Sequence, residues 1–213
     1  MKTYILAVLV ALSAGGAQAS SLMLNGEFEL GNMYFTSGYG YAAPTGNGVL
    51  YPEGLYSVTT NPNNVHNLFS SFGDHTTGLG NMMVVNGNAI ADTVVWQGQL
   101  AQPLVIGQEY EFTFWAASAY PISPAQLSFH IGSQQIGLLV LLSSTGEWIS
   151  STTHFVAQET QPIIDIRDDN SALSGNDFVL DDISLAPIPE PSTIGLLGVG
   201  LAALIAVRRR ICR

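Results

Sequence analysis

Positive charge and cysteine are both scarce in this chain of 213 residues, and each scarcity excludes a class of function. The basic residues are Lys2, Arg167, Arg208, Arg209, Arg210 and Arg213, so Arg167 stands alone between the termini, while fifteen of the sixteen acidic residues lie from Glu27 to Asp182. Such a surface repels phosphate backbones, and the counterion release that drives nucleic-acid binding has the wrong sign, so nucleic acid is excluded as a partner. The same surface suits Ca2+, which takes hard oxygen ligands. Cys212 is the single cysteine, which rules out an intrachain disulfide and leaves the fold to its core, or to its core and a metal clip. No G-x-S-x-G elbow and no cysteine nucleophile supports acyl transfer. His66, His75, His130 and His154 lack the spacing of zinc sites.

Long apolar runs are confined to the two ends. "MKTYILAVLVALSAGGAQAS" places Lys2 before an apolar run and closes on small residues at Ala19, the pattern of a signal peptide over residues 1–19, removed by signal peptidase. At the other end, residues 193–207 form an apolar stretch followed by Arg208, Arg209 and Arg210. As a helix this stretch is about 22 Å long, short for a hydrocarbon core of about 30 Å, and arginine snorkelling with local thinning makes up the difference. The arginines place that end in the cytoplasm and the central domain outside the inner membrane.

Between the ends the chain reads as strands and turns. "NMMVVNGN", "DTVVWQGQL", "QEYEFTFWAAS", "AQLSFHIGSQQIG", "WISSTTHFVA", "QPIIDIRDD" and "NDFVLDDISL" are rich in β-branched and aromatic residues and are separated by Gly, Asn, Pro or Ser. In "EYEFTFWA", Tyr110, Phe112 and Phe114 share one face, and Glu111, Thr113 and Trp115 the other, as a half-buried antiparallel strand requires. One all-β domain over residues 20–187, a two-sheet antiparallel sandwich, is the architecture this pattern predicts. Residues 32–77 are dense in Gly, Asn, Pro and Tyr and read as long loops of the kind that carry function.

Several residues are candidates for binding. Sugar rings stack their C–H faces on aromatic side chains, which points first to Tyr39, Tyr41 and Tyr56 in the long loops, a segment hard to explain as core, and second to Trp115 on its polar strand face, which core packing explains better. In "FGDHTTG", Asp74 and His75 sit in a Gly-bounded loop that could hold a hydroxyl or a cation, or form a local Asx-type turn. The paired carboxylates Glu27 and Glu29, Asp168 and Asp169, and Asp181 and Asp182 lie in no recognisable catalytic motif.

Two resemblances rest on these residues. The segment 188–213, with Pro189, Glu190 and Pro191, then the apolar span, then Arg208, Arg209 and Arg210, resembles the PEP-CTERM sorting signal of Gram-negative bacteria. That resemblance implies an exosortase as partner, passing anchorage in the inner membrane, and a destination at the cell surface or in the extracellular matrix. The central domain, through "LNGEFE" and "NDFVLDDISL", resembles the galactose-binding-like jelly roll of carbohydrate-binding modules. "FGDHTTGLGNMMVVNG", "TVVWQG" and "YEFTFWAAS" look like exported domains that often precede such a tail. The jelly-roll resemblance implies a structural Ca2+ between the first and last strands, with Glu29 and Asp181 or Asp182 as carboxylate ligands and Glu27 lending its carbonyl.

Together these readings predict an exported, non-catalytic protein that binds or organises extracellular polysaccharide. A self-associating matrix protein without a glycan ligand, and a glycan hydrolase, are the alternatives.

Overall fold

A computed structural model describes residues 20–189 together with Gly198 and Gly200. The expected signal peptide, the apolar span at 193–207, Glu190, Pro191 and the terminal arginines lie outside the described residues. Among those described, no helix is long and apolar enough to cross a membrane.

Residues 20–189 form two sheets. The first contains β1 (Phe35–Thr36), β5 (Thr93–Gly98), β10 (Ile164–Asp168), β7 (Gln126–Ile131) and β8 (Gln134–Val140), in that spatial order. The second runs β2 (Gly40–Tyr41), β3 (Leu55–Thr59), β4 (Met82–Asn86), β11 (Phe178–Pro187), β6 (Glu109–Ser118) and β9 (Ile149–Val156). The pairings are antiparallel except for the short β2–β3 contact, which is parallel and makes the second sheet mixed. The result is the two-sheet sandwich that the strand pattern predicts, with the jelly-roll architecture that the resemblance implies.

The main core lies between the sheets. Strict alternation along β6 turns Tyr110, Phe112, Phe114 and Ala116 inward, where Phe129 of β7 meets Phe114 edge-on at 5.3 Å. The strand β4, "MMVVN", does not alternate in polarity because both of its faces are covered. Met83 and Val85 enter the main core, whereas Met82 and Val84 join a second cluster with Leu50, Val65, Phe69, Ala117, Ala119 and Val179. A strand buried on both faces reads as a continuous apolar run.

That second cluster corrects the reading of residues 32–77 as long functional loops. Leu50, Val65 and Phe69 are at most 3% exposed and lie on the outer face of the six-stranded sheet, so the stretches on either side of β3, residues 42–54 and 60–72, form a roof over β4 and β11. A 3-10 turn at Pro62–Asn64, capped by the Asn61 side chain, bends the second stretch into place.

One irregularity shapes the rest of that outer face. Asp181 pairs with Trp115 and Ser184 with Thr113, so β11 carries one residue more than β6 between these points, a β-bulge. Asp182 sits at φ 48°, a left-handed conformation that Asp tolerates better than most residues. The extra residue lets Leu180 and Ile183 both point into the core while Asp181 lies on the outer face. The N-terminal segment then reaches β11 at the bulge through Ile183 N–H donating to the Gly26 carbonyl at 3.0 Å. A Cβ at position 26 would lie 1.8 Å from the Ile183 carbonyl oxygen, so glycine is required there.

If the stretches flanking β3 are a roof, Phe69→Ala should cost about 3 to 5 kcal/mol, the range of a buried aromatic, although a loop position ordinarily costs far less. Chemical-denaturant unfolding of both proteins measures this directly.

Candidate functional site

Where the roof ends, the outer face of the six-stranded sheet opens into a trough of about 650 Å3. Its floor is Glu111, Thr113 and Trp115 of β6 with Asp182 and Ser184 of β11, and its wall is the segment carrying Asn25, Glu27 and Glu29. Alternation delivers the β6 residues: the inward phenylalanines force Glu111, Thr113 and Trp115 outward together. Across the β9 edge, His154 Nε2 lies 3.1 Å from Glu111, and the hydroxyls of Thr113 and Thr152 share a hydrogen bond at 2.9 Å.

The loop 72–81 closes one end of the trough. The His75 ring stacks on Trp115 with centroids 3.7 Å apart and 18° between planes. Its Nδ1 lies 2.5 Å from Asp182 Oδ2, and Thr76 Oγ1 donates to the same carboxylate at 2.7 Å. The His75 backbone N–H donates to Asp181 Oδ2 at 2.9 Å, and the Asn81 N–H to Glu29 Oε1 at 2.8 Å. Asp74 is buried and closes the loop on itself, accepting from the N–H groups of Thr77 and Gly80 at 2.9 and 2.7 Å. Burial alone would raise the Asp74 pKa, but these donors outweigh it and hold the carboxyl below its usual range. Asp74 thus makes the local turn, and His75 joins the trough.

Residues singled out for different reasons in the sequence therefore meet at one place. Asp74, His75 and Trp115, read as binding candidates, surround Glu29, Asp181 and Asp182, read as metal ligands. Asp181 is 1% exposed, and burial pushes its carboxyl up to about 7 even though two backbone N–H groups pull the other way. The oxygens of Glu29, Asp181 and Asp182 have the chemistry calcium prefers, but here they accept from Asn81, His75, Thr76 and the Asp182 backbone. Glu27 is exposed at the rim. Among the described residues no three His, Cys, Asp or Glu side chains converge as metal ligands.

The loop tyrosines lie elsewhere, and two are not on the surface. Tyr39 and Tyr56 are 4% and 5% exposed in the main core, where their hydroxyls donate to Asp168 at 3.2 Å and Asn32 at 2.7 Å. A buried tyrosine keeps its ring in the core and its hydroxyl on a polar partner, which a Gly- and Asn-rich sequence context does not reveal. Tyr41 is exposed and packs on Tyr56 with centroids 5.4 Å apart. Of the trough residues passed over as candidates, Glu111 and Thr113 were detectable through the same-face alternation with Trp115, whereas Ser184 lies beyond the bulge of β11. Asn25 carried no such signal, because it reaches the site along an irregular segment.

Arg167, the one Lys or Arg among the described residues, lies in the other sheet and is paired with Asp165 at 2.8 Å and Asp92 at 3.0 Å. The trough consequently keeps its negative charge.

Comparison with known proteins agrees with the two parts of this picture. Residues 187–210 match the PEP-CTERM protein-sorting motif, so the chain carries a sorting signal of that kind. No curated protein matches the chain. Among solved structures it is similar to an arabinose-bound GH51 α-L-arabinofuranosidase, at 12% identity and a TM-score of 0.55 over 82% of this chain and 27% of that one. It is also similar to a Stig cyclase from Fischerella sp. TAU, at 14% identity and a TM-score of 0.51 over 81% and 99% of the two chains. A third is the CBM22-1 xylan-binding domain from Paenibacillus barcinonensis, at 9% identity and a TM-score of 0.46 over 63% and 81%. This chain spans about a quarter of the arabinofuranosidase, and at these identities the likeness is one of fold.

Where β10 ends and β11 begins, burial pushes the carboxyls of Asp168 and Asp177 up, to about 6 and about 7. Folded-state values above the unfolded ones mean that the native state holds more protons between about pH 4 and pH 7, so this part of the stability falls as pH rises through that window. Thermal melts at intervals from pH 4.5 to pH 8 should show a declining Tm. Asp177→Asn, which keeps an oxygen for the Gly87 N–H, should flatten the decline and raise the Tm at pH 8.

Proposed function

We propose that this chain is an exported, non-catalytic protein whose sandwich domain holds a polysaccharide chain in the trough on the outer face of its six-stranded sheet. The observation that carries this reading is the trough itself. Its volume lies in the range of small-ligand sites, and it sets the indole of Trp115 beside the side chains of Thr113, Ser184, Asn25 and four carboxylates. A pyranose presents C–H groups on its faces and hydroxyls at its rim. The part of the indole that lines the trough and is not covered by the His75 ring takes the former, and carboxylates accept strongly from the latter.

The sign of the charge narrows the ligand. With Glu27, Glu29, Glu111 and Asp182 in the lining and no Lys or Arg among them, uronic-acid or sulfated chains are repelled and neutral chains admitted. The sorting segment supplies the address: an exosortase recognises the tail while it sits in the inner membrane, then releases the domain to the cell surface or matrix.

Affinity electrophoresis in gels containing neutral or acidic polysaccharides should show retardation by a neutral polymer and none by an acidic one. Thr113→Val and Glu111→Gln, on an open strand face, should abolish the retardation while leaving the Tm nearly unchanged. A protein that assembles into matrix without being retarded by any glycan supports the structural alternative, and release of reducing ends supports the hydrolase.

For the address, mass spectrometry of the mature protein from its native host should find a C-terminus near residues 189–193. An intact Arg213 contradicts exosortase processing.

A further inference from the structure

A second, smaller cavity of about 160 Å3 opens beyond the roof, where β4 and β6 end and β11 begins. Asn86, the last residue of β4, and Asp177, just ahead of β11, line it together with Tyr51, Glu53, His66 and Tyr120. Asp177 and Asn86 are each 6% exposed. Asp177 Oδ1 accepts the Gly87 N–H at 3.1 Å, and its second oxygen accepts nothing among the described residues. The Asn86 amide N–H group donates to the Leu50 carbonyl, and its side-chain oxygen likewise accepts nothing among those residues. Two polar side chains, more than nine-tenths buried, thus bring free acceptor atoms to one cavity. Neither oxygen is among the wholly enclosed, partnerless side-chain atoms of the described residues, so both stay open to a donor that enters the cavity.

The charge around these acceptors is of one sign. Glu53 stands at the cavity, and Asp168 lies near enough behind for both to oppose ionisation of Asp177. The described residues have no cation to spare, since Arg167, the one Lys or Arg among them, is held by Asp165 and Asp92. Aromatic rings complete the wall: Tyr51 is 54% exposed and meets His66 edge-on at 4.8 Å, and His66 stacks on Phe69 at 4.2 Å. Burial lowers the His66 pKa, so its ring is uncharged at neutral pH and does not repel a cation.

We propose that this cavity binds a primary ammonium group carried on a single sugar ring, that is, an amino sugar with a free amine. The ammonium donates to Asp177 and to the Asn86 oxygen, lies against the Tyr51 ring, and relieves the repulsion among Asp177, Glu53 and Asp168. The volume is below that of drug-sized sites, which favours one ring or a chain end over a run of residues. The choice of a saccharide to carry the amine rests on the glycan reading above, whereas the ammonium follows from the cavity. The site is separate from the trough, with no lining residue in common.

The test uses the full-length chain in detergent micelles, titrated with glucosamine, N-acetylglucosamine and glucose and followed by NMR shifts of the Gly87 and Gly175 amides. Glucosamine should bind about tenfold or more tightly than the other two, because acetylation removes the charge and glucose lacks the amine. Asp177→Asn should lose this binding by about tenfold or more, while its Tm is unchanged or raised and its retardation by neutral polysaccharide is retained. Equal responses to the three sugars, or undiminished glucosamine binding by Asp177→Asn, overturn the proposal. If Asp177→Asn does not fold, Tyr51→Ala at an exposed position must weaken glucosamine binding several-fold, and unchanged binding by that variant overturns it equally. Failure at the trough leaves these readouts untouched, since the polysaccharide gels and the glucosamine titration report on different residues.

Discussion

Asp181 lies on β11, a strand inside the six-stranded sheet with a neighbour on each side, and is 1% exposed. A carboxylate in that position must be met by donors; the bulge frees the Asp182 N–H for one oxygen, and the second needs a donor from outside the sheet. The loop 72–81 supplies what is missing: the His75 N–H reaches Asp181, the His75 ring and the Thr76 hydroxyl reach Asp182, and Asp74 ties the loop into its turn. The bulge places Asp181 and Asp182 in succession within reach of that loop, and Gly26 lets the N-terminal segment close against the same point. Satisfying one buried carboxylate therefore positions His75 on Trp115 and defines the closed end of the trough.

The outer face of this sheet serves two purposes. Over β4 and the first half of β11 it is apolar and covered by the roof, whose Leu50, Val65 and Phe69 extend the hydrophobic core to a third layer. Over the second half of β11, β6 and β9 it is polar and open. The change in polarity runs along single strands: β6 passes from Glu111 and Thr113 through Trp115 to Ala117 and Ala119 on the same side of the sheet. Trp115 marks the border, with its ring turned to His75 and the trough beside it.

Electrostatics set the limits on what such a surface can hold. A domain with fifteen acidic residues, and with its one arginine engaged in ion pairs, cannot counterbalance an anionic polymer. The same excess raises the cost of burying Asp168, Asp177 and Asp181 close to further carboxylates, which burial foremost and neighbouring charge in addition push up to between about 6 and about 7. The price of that burial is a fold whose stability depends on pH through these carboxyl groups.

The sandwich was legible because period-two alternation in β6 and the β-branched runs of β5, β10 and β11 are local patterns that one sheet face against a core imposes. The roof was not, because a segment rich in Gly, Asn and Pro has no period, and Leu50, Val65 and Phe69 become core only when a covered strand lies beneath them. The acidic ends, Glu29 and Asp181 with Asp182, were legible as neighbours through resemblance, but their partners His75, Thr76 and Asn81 were not. Tyr39 and Tyr56 read as surface for the reason that the roof read as loop: exposure is a property of what folds over a residue. The sequence by itself determined the strand periodicity, the sign of the charge and the sorting tail, since each is written in residue types at fixed spacing along the chain. Tertiary structure alone decided which outer face is covered, where the trough lies and which carboxylates are buried, since these depend on contacts between residues as far apart as Glu29 and Asn81 or His75 and Asp181, where no local spacing records the approach.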